Sequence, residues 1–114
     1  IFLFITALVY LFIISTEPSK LNDFTLCLKN KGVKFYGAFW CPHCQNQKKL
    51  FGTSENLLPY IECSTADDQA QLTVCQDAGI TSYPTWIFPD ESSKSGELSL
   101  QELSDKSGCL LPPR

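Results

Sequence analysis

Residues 1–14 form an apolar run with no charge and only Thr6 and Tyr10 as polar interruptions. Fourteen helical residues rise about 21 Å, short of the roughly 30 Å hydrocarbon core of a bilayer. The run opens on Ile in a chain without Met, so we expect the C-terminal part of a longer transmembrane helix. A signal-peptide apolar region is the alternative, but Ser15-Thr16-Glu17-Pro18 makes a poor small-residue cleavage site. Residues 15–19 read as a polar linker.

From residue 20 the pattern becomes that of a folded domain. Leu21, Phe24 and Leu28 recur at helical spacing through Asn30, and Lys31-Gly32 supplies a stop. Residues 33–39 are an apolar, aromatic run of strand length. It is too continuous for a one-sided surface strand and so predicts a central strand covered on both faces. A helix over 41–51 ends near Gly52, and 57–62 reads as a second strand closed by Cys63. Ser64-Thr65-Ala66-Asp67-Asp68 looks like a helix start, with Ala70, Val74 and Ala78 on one face and Gly79 as the stop. Residues 85–89 make a third strand, and 90–96 a polar hairpin region with room for a short edge strand. Ser99-Leu100-Gln101-Glu102 has capping-box spacing for a last helix to about Ser107, with Gly108 beyond. A strand-helix-strand unit followed by a hairpin and a covering helix predicts an α/β fold, a four-stranded mixed sheet between helices.

Length and charge narrow this picture. The 114 residues suit one compact domain, with boundaries at 1–14 for the membrane helix, 15–19 for the linker, 20–110 for the domain and 111–114 for a tail. Net charge is -3 and no basic cluster exceeds the Lys48-Lys49 pair, so nucleic-acid binding has no electrostatic support. Six cysteines are too few for a disulfide-built miniprotein and many for a cytosolic chain, which favours an oxidising compartment. With a membrane segment leading into it, the domain would face a periplasm or an organelle or secretory lumen.

The chemistry centres on Cys41-Pro42-His43-Cys44, placed where the strand hands over to a helix. Two cysteines two residues apart can close a small disulfide ring. A thiol at a helix N-terminus meets the positive end of the macrodipole, and its pKa of about 8.5 can fall to roughly 3.5–7.5. Cys41 is therefore the candidate nucleophile, expected to be exposed. Cys44, one turn deeper, is the resolving thiol. An inert staple is the bland alternative. A zinc site built from Cys41, His43, Cys44 and Cys63 is another, weakened by the single His and the lack of a second Cys-x-x-Cys. Pro42 in the first helical turn sacrifices no hydrogen bond. His43 can donate toward the Cys41 sulfur, and a more stable reduced form means a stronger oxidant; an exposed ring with no redox role is the alternative. Phe39 reads as core, Trp86 as core or rim, and Trp40 as either packing or substrate contact.

Phe35-Tyr36-Gly37-Ala38-Phe39-Trp40-Cys41-Pro42-His43-Cys44, with Gln47-Lys48, Pro59-Tyr60-Ile61-Glu62-Cys63 and Gly79-Ile80-Thr81-Ser82-Tyr83-Pro84-Thr85-Trp86, resembles the thioredoxin superfamily. More narrowly it is similar to the thioredoxin-like domain fused behind the membrane domain of bacterial and plant vitamin K epoxide reductase homologues. The similarity covers roughly residues 31–108. It implies a compact thioredoxin fold that follows a last transmembrane helix. It also implies a cis Pro84 set against the dithiol, with the Tyr83 backbone pairing an extended substrate, and redox tuning by Pro42 and His43. A similarly spaced cysteine pair in that family suggests a second disulfide, Cys63 to Cys75, structural rather than a relay; closing such a loop contributes about 3 kcal/mol in the chain-entropy treatment. Cys27 and Cys109 fall outside the family pattern, and we incline to leave them unpaired. The strand position where related enzymes place a buried acid is Phe35, so the proton route for Cys44 is undefined by sequence and water is the expected substitute.

The resemblance further implies the partners: cysteine-containing exported proteins, and a vitamin K epoxide reductase-like membrane domain, fused or separate, reoxidised by a quinone, with no cofactor in this domain itself. The expected function is a membrane-tethered thiol–disulfide oxidase. A disulfide reductase or isomerase, or a non-catalytic thioredoxin-like interaction module, are the alternatives.

Overall fold

The computed structural model describes residues 20–113 together with Ile5 and Thr6. The expected membrane segment and linker therefore lie, apart from those two residues, outside the described part. Among the described residues no helix is long and apolar enough to cross a membrane.

The first helix, α1 (Asn22–Asn30), buries Phe24, Thr25 and Leu28. It leads through Gly32 into β1 (Lys34–Gly37), and α2 (Pro42–Lys49) follows directly. A 3-10 turn over Gly52–Leu57 precedes β2 (Tyr60–Glu62); α3 is Thr73–Asp77, β3 Thr85–Ile87, β4 Ser93–Ser95 and α4 Leu100–Ser107. The sheet order is β2-β1-β3-β4. β1 runs parallel to β2 and antiparallel to β3, and β3 is antiparallel to β4.

β1 is covered on both faces, as its continuous apolar character requires. Phe35 sits opposite Trp86 across the sheet and stacks on it at 4.5 Å, in a cluster with Phe24, Leu28, Phe51, Phe88 and Leu103. Tyr36 faces the other way, into a smaller cluster with Cys63, Cys75 and Ile80. The outer strand β4 is fully exposed and reads Ser-Lys-Ser, a polar edge that discourages further strand pairing. On α4 the Ser99 side chain accepts the Glu102 N–H and Gly108 closes the helix in the left-handed region, the cap and stop the sequence calls for.

Four expectations are corrected. The segment 64–72 is not helical: Thr65 N–H donates to the Ala70 carbonyl, its hydroxyl bonds Asp67 at 2.6 Å, and Ser64 bridges Gln71. Ser, Thr and Asp side chains that bond nearby backbone compete with helix formation, so α3 is short. Its buried residue is Cys75, while Val74 stays half exposed. β1 stops at Gly37 rather than running to 39, because the chain turns there with Cys41 N–H donating to Ala38 O at 3.0 Å. Phe39, expected in the core, is consequently 46% exposed. Finally, Cys27 and Cys109 are joined by a disulfide. α1 and the segment after α4 pack into the same cluster, which brings the two sulfurs together.

Candidate functional site

Cys41 is the N-cap of α2, with extended backbone, and Pro42 occupies the first helical turn. The N–H groups of that turn have no intrahelical acceptor. α2 is pinned to the sheet by Gln47, which is fully buried. Its carbonyl oxygen accepts from Trp86 Nε1 at 3.2 Å and from Leu98 N–H at 2.7 Å, and its Nε2 donates to Leu98 O at 2.9 Å. Every polar atom of this core amide is answered, so the dithiol helix cannot rotate without breaking three bonds.

Cys41 and Cys44 are both free thiols. Cys41, expected exposed, is only 7% accessible, because the loop carrying Pro84 closes over it. Its Sγ lies 3.8 Å from the Tyr83 carbonyl oxygen, and the Tyr83–Pro84 peptide is cis. Cys44 is completely buried. Burial is the main reason its thiol is pushed up to about 12; hydrogen bonding and charge at Cys41 add to this, while the Ala38 backbone and the Lys48 charge oppose it. The two cysteines are thus distinguished by position and by environment: one capping the helix start under the Pro84 loop, the other a turn deeper and held as a thiol.

Around them the aromatic residues take defined places. Trp40, 43% exposed, donates from Nε1 to Ser64 Oγ at 2.8 Å and meets Tyr83 edge to face at 6.0 Å. With Phe39 it forms an apolar lip beside Cys41. Tyr83 is tied at its hydroxyl by Gln71 Nε2 at 2.9 Å. His43 lies exposed beside the site. Its Nδ1 pairs with Glu97 Oε2 at 2.8 Å, because the exposed ring in the first turn reaches the loop after β4.

Two residues quoted only as part of a motif prove to belong to the site. The Tyr60 hydroxyl donates to Glu62 Oε1 at 3.0 Å, and Glu62 Oε2 accepts from the N–H groups of Phe39, Cys63 and Ser64, each at 3.1 Å. Glu62 therefore fastens the turn that carries Trp40 and Cys41 to the end of β2. Burial first, then the bond to Glu62, raises the Tyr60 phenol well above its ordinary range. The signal available in sequence was a carboxylate directly before a strand-ending cysteine, but only the parallel register of β1 and β2 brings it to the dithiol loop.

Cys63 and Cys75 are joined in a disulfide, both fully buried. The bond removes Cys63 from the four-ligand zinc alternative.

Residues 20–106 match the thioredoxin family. The chain is also 42% identical over 88 residues to the thiol-disulfide oxidoreductase LTO1 of Arabidopsis thaliana, an alignment covering 74% of this chain and 23% of that protein. The chain thus spans less than a quarter of the length of this relative.

Proposed function

This chain belongs to the thioredoxin family, and we propose that it works there as a membrane-tethered thiol–disulfide oxidase for exported proteins. Its family and its 42% identical relative support protein thiol–disulfide oxidoreductase activity. The observation that carries the reading is the pairing of a helix-capping Cys41 with a buried Cys44, beside the carbonyl that precedes cis Pro84. A reduced substrate thiolate attacks Cys41 Sγ of the closed Cys41–Cys44 disulfide, and Cys44 leaves as the thiolate and takes a proton. The second substrate thiolate then attacks the substrate sulfur of the mixed disulfide, releasing Cys41. Two electrons pass to the dithiol and one disulfide to the substrate.

Tyr83 and Pro84 would line the extended substrate segment, with Trp40 and Phe39 as its apolar contact. The closed disulfide would be regenerated by a vitamin K epoxide reductase-like membrane domain, fused or separate, which hands electrons to a quinone; no cofactor is needed in this domain. The apolar run 1–14 supports a membrane tether. The two further disulfides support a lumenal or periplasmic setting.

The reverse direction, disulfide reduction or isomerisation, is favoured by one observation: His43 spends Nδ1 on Glu97 and so has one donor fewer for the Cys41 sulfur. Equilibration of the full chain against glutathione buffers separates the two. The oxidase reading predicts a Cys41/Cys44 potential above about -200 mV; a value near thioredoxin's, about -270 mV, would establish a reductase instead.

A further inference from the structure

Phe35 occupies the strand position where an acid could have served the resolving thiol, and it is buried against Trp86 and Tyr60. Yet Cys44 is completely buried and must act as a thiolate whenever it resolves a mixed disulfide. A neighbouring group has to favour that charge.

Gly37 marks the place. A side chain there would start 2.9 Å from Cys44 Sγ and 2.9 Å from Cε2 of Tyr60, so the sulfur and the ring edge share the space left by the missing Cβ. Lys48 stands one turn beyond Cys44 on α2, a spacing that puts Cβ atoms about 5–6 Å apart. Its Nζ lies 3.8 Å from the centroid of the same Tyr60 ring, a cation–π seat that holds a long side chain in one place. Around Cys44 are Cys41 from the helix cap, the Ala38 backbone, which also favours the thiolate, Lys48 from its own helix, Tyr60 from β2 with Glu62 hydrogen-bonded to it, and Tyr83 from the Pro84 loop. Of these Lys48 is the cation. The Glu62 oxygens are taken by three backbone N–H groups and the Tyr60 hydroxyl.

We propose that Lys48, seated on the Tyr60 ring, is the positioning residue that lets the buried Cys44 act as a thiolate, in place of a strand acid. The proposal rests on the oxidoreductase reading above and deepens it. The direction of the Lys48 charge effect on Cys44, opposing that of burial, agrees with the geometry. In the step concerned, Cys44 gives its proton to solvent and its sulfur bonds to Cys41 Sγ. The bond from Cys41 to the outgoing sulfur breaks, and that sulfur departs with the electron pair.

The test uses the full chain with its dithiol reduced and 5,5′-dithiobis(2-nitrobenzoate) as the probe. The other four cysteines are held in disulfides, so the colour reports this pair. Attack by Cys41 releases the first nitrothiobenzoate and resolution by Cys44 the second. For Lys48→Met we expect the first phase unchanged, while the second slows about tenfold near neutral pH and its pH profile moves up by about one unit. Lys48→Arg should restore most of the rate. A Lys48→Met second phase with the parent's rate and pH profile would overturn the proposal, as would a Lys48→Arg variant as slow as Lys48→Met. If the parent itself releases only one equivalent, the exchange reading fails, and the proposal with it.

Discussion

Gly37 is where the residue scale matters most. Its φ is unremarkable, so the requirement is for space and not for a left-handed backbone. A Cβ would press on the resolving sulfur and on the Tyr60 ring at once, each 2.9 Å away, closer than real Cβ contacts come. The buried sulfur has little room to shift, because Gln47 ties α2 to Leu98 and Trp86. Gly37→Ala should therefore destabilise the fold by about 1–3 kcal/mol, as overpacking of a filled interior does, and slow resolution in the same variant. Chemical denaturation and the two-phase thiol assay read the two effects, and a variant with the parent's stability would show that the space is not filled as described. The role of Glu62 is likewise not legible in the sequence. A carboxylate after Ile61 looks like an ordinary strand end, and only the three N–H groups that converge on Oε2 give it a task.

At the scale of elements, the parts that could be read from sequence are those whose signal is local. α4 carries its own cap in Ser99 and its own stop in Gly108, and β1 announces two-sided burial by its unbroken apolar run. The dithiol motif could be placed at a strand-to-helix junction for the same reason. The parts that could not be read depend on contacts distant in sequence. The helix expected from residue 64 onward fails because Ser64 and Thr65 bond the loop's own backbone and Gln71, leaving α3 just long enough to present Cys75 to Cys63. Likewise, His43 could be assigned to the site from its position, but its pairing with Glu97 depends on where the loop after β4 returns. The apolar lip of Phe39 and Trp40 follows from β1 ending two residues early, which Glu62 enforces from the neighbouring strand.

For the whole molecule, the bond between Cys27 and Cys109, 82 residues apart, ties α1 to the segment following α4. Sequence gave no pairing signal, since the two positions meet only through the shared core of Phe24, Leu28 and Leu103. Closing so long a loop is worth about 4.5 kcal/mol in the chain-entropy treatment. We expect the Cys27→Ser/Cys109→Ser double variant to lose about 2–5 kcal/mol of stability in denaturant titrations while keeping the dithiol's thiol-exchange rates, because the staple lies outside the site. Equal stability would mean that the bond constrains little. In the proposed exchange Cys41 bonds to the partner's sulfur and Cys44 resolves the mixed disulfide. Incubation of the single-cysteine variants with a disulfide-bonded peptide, read by mass spectrometry, tests it most directly. Cys44→Ser should accumulate a stable mixed disulfide on Cys41, and Cys41→Ser should accumulate none; a mixed disulfide carried by Cys44, or none in either variant, would contradict it.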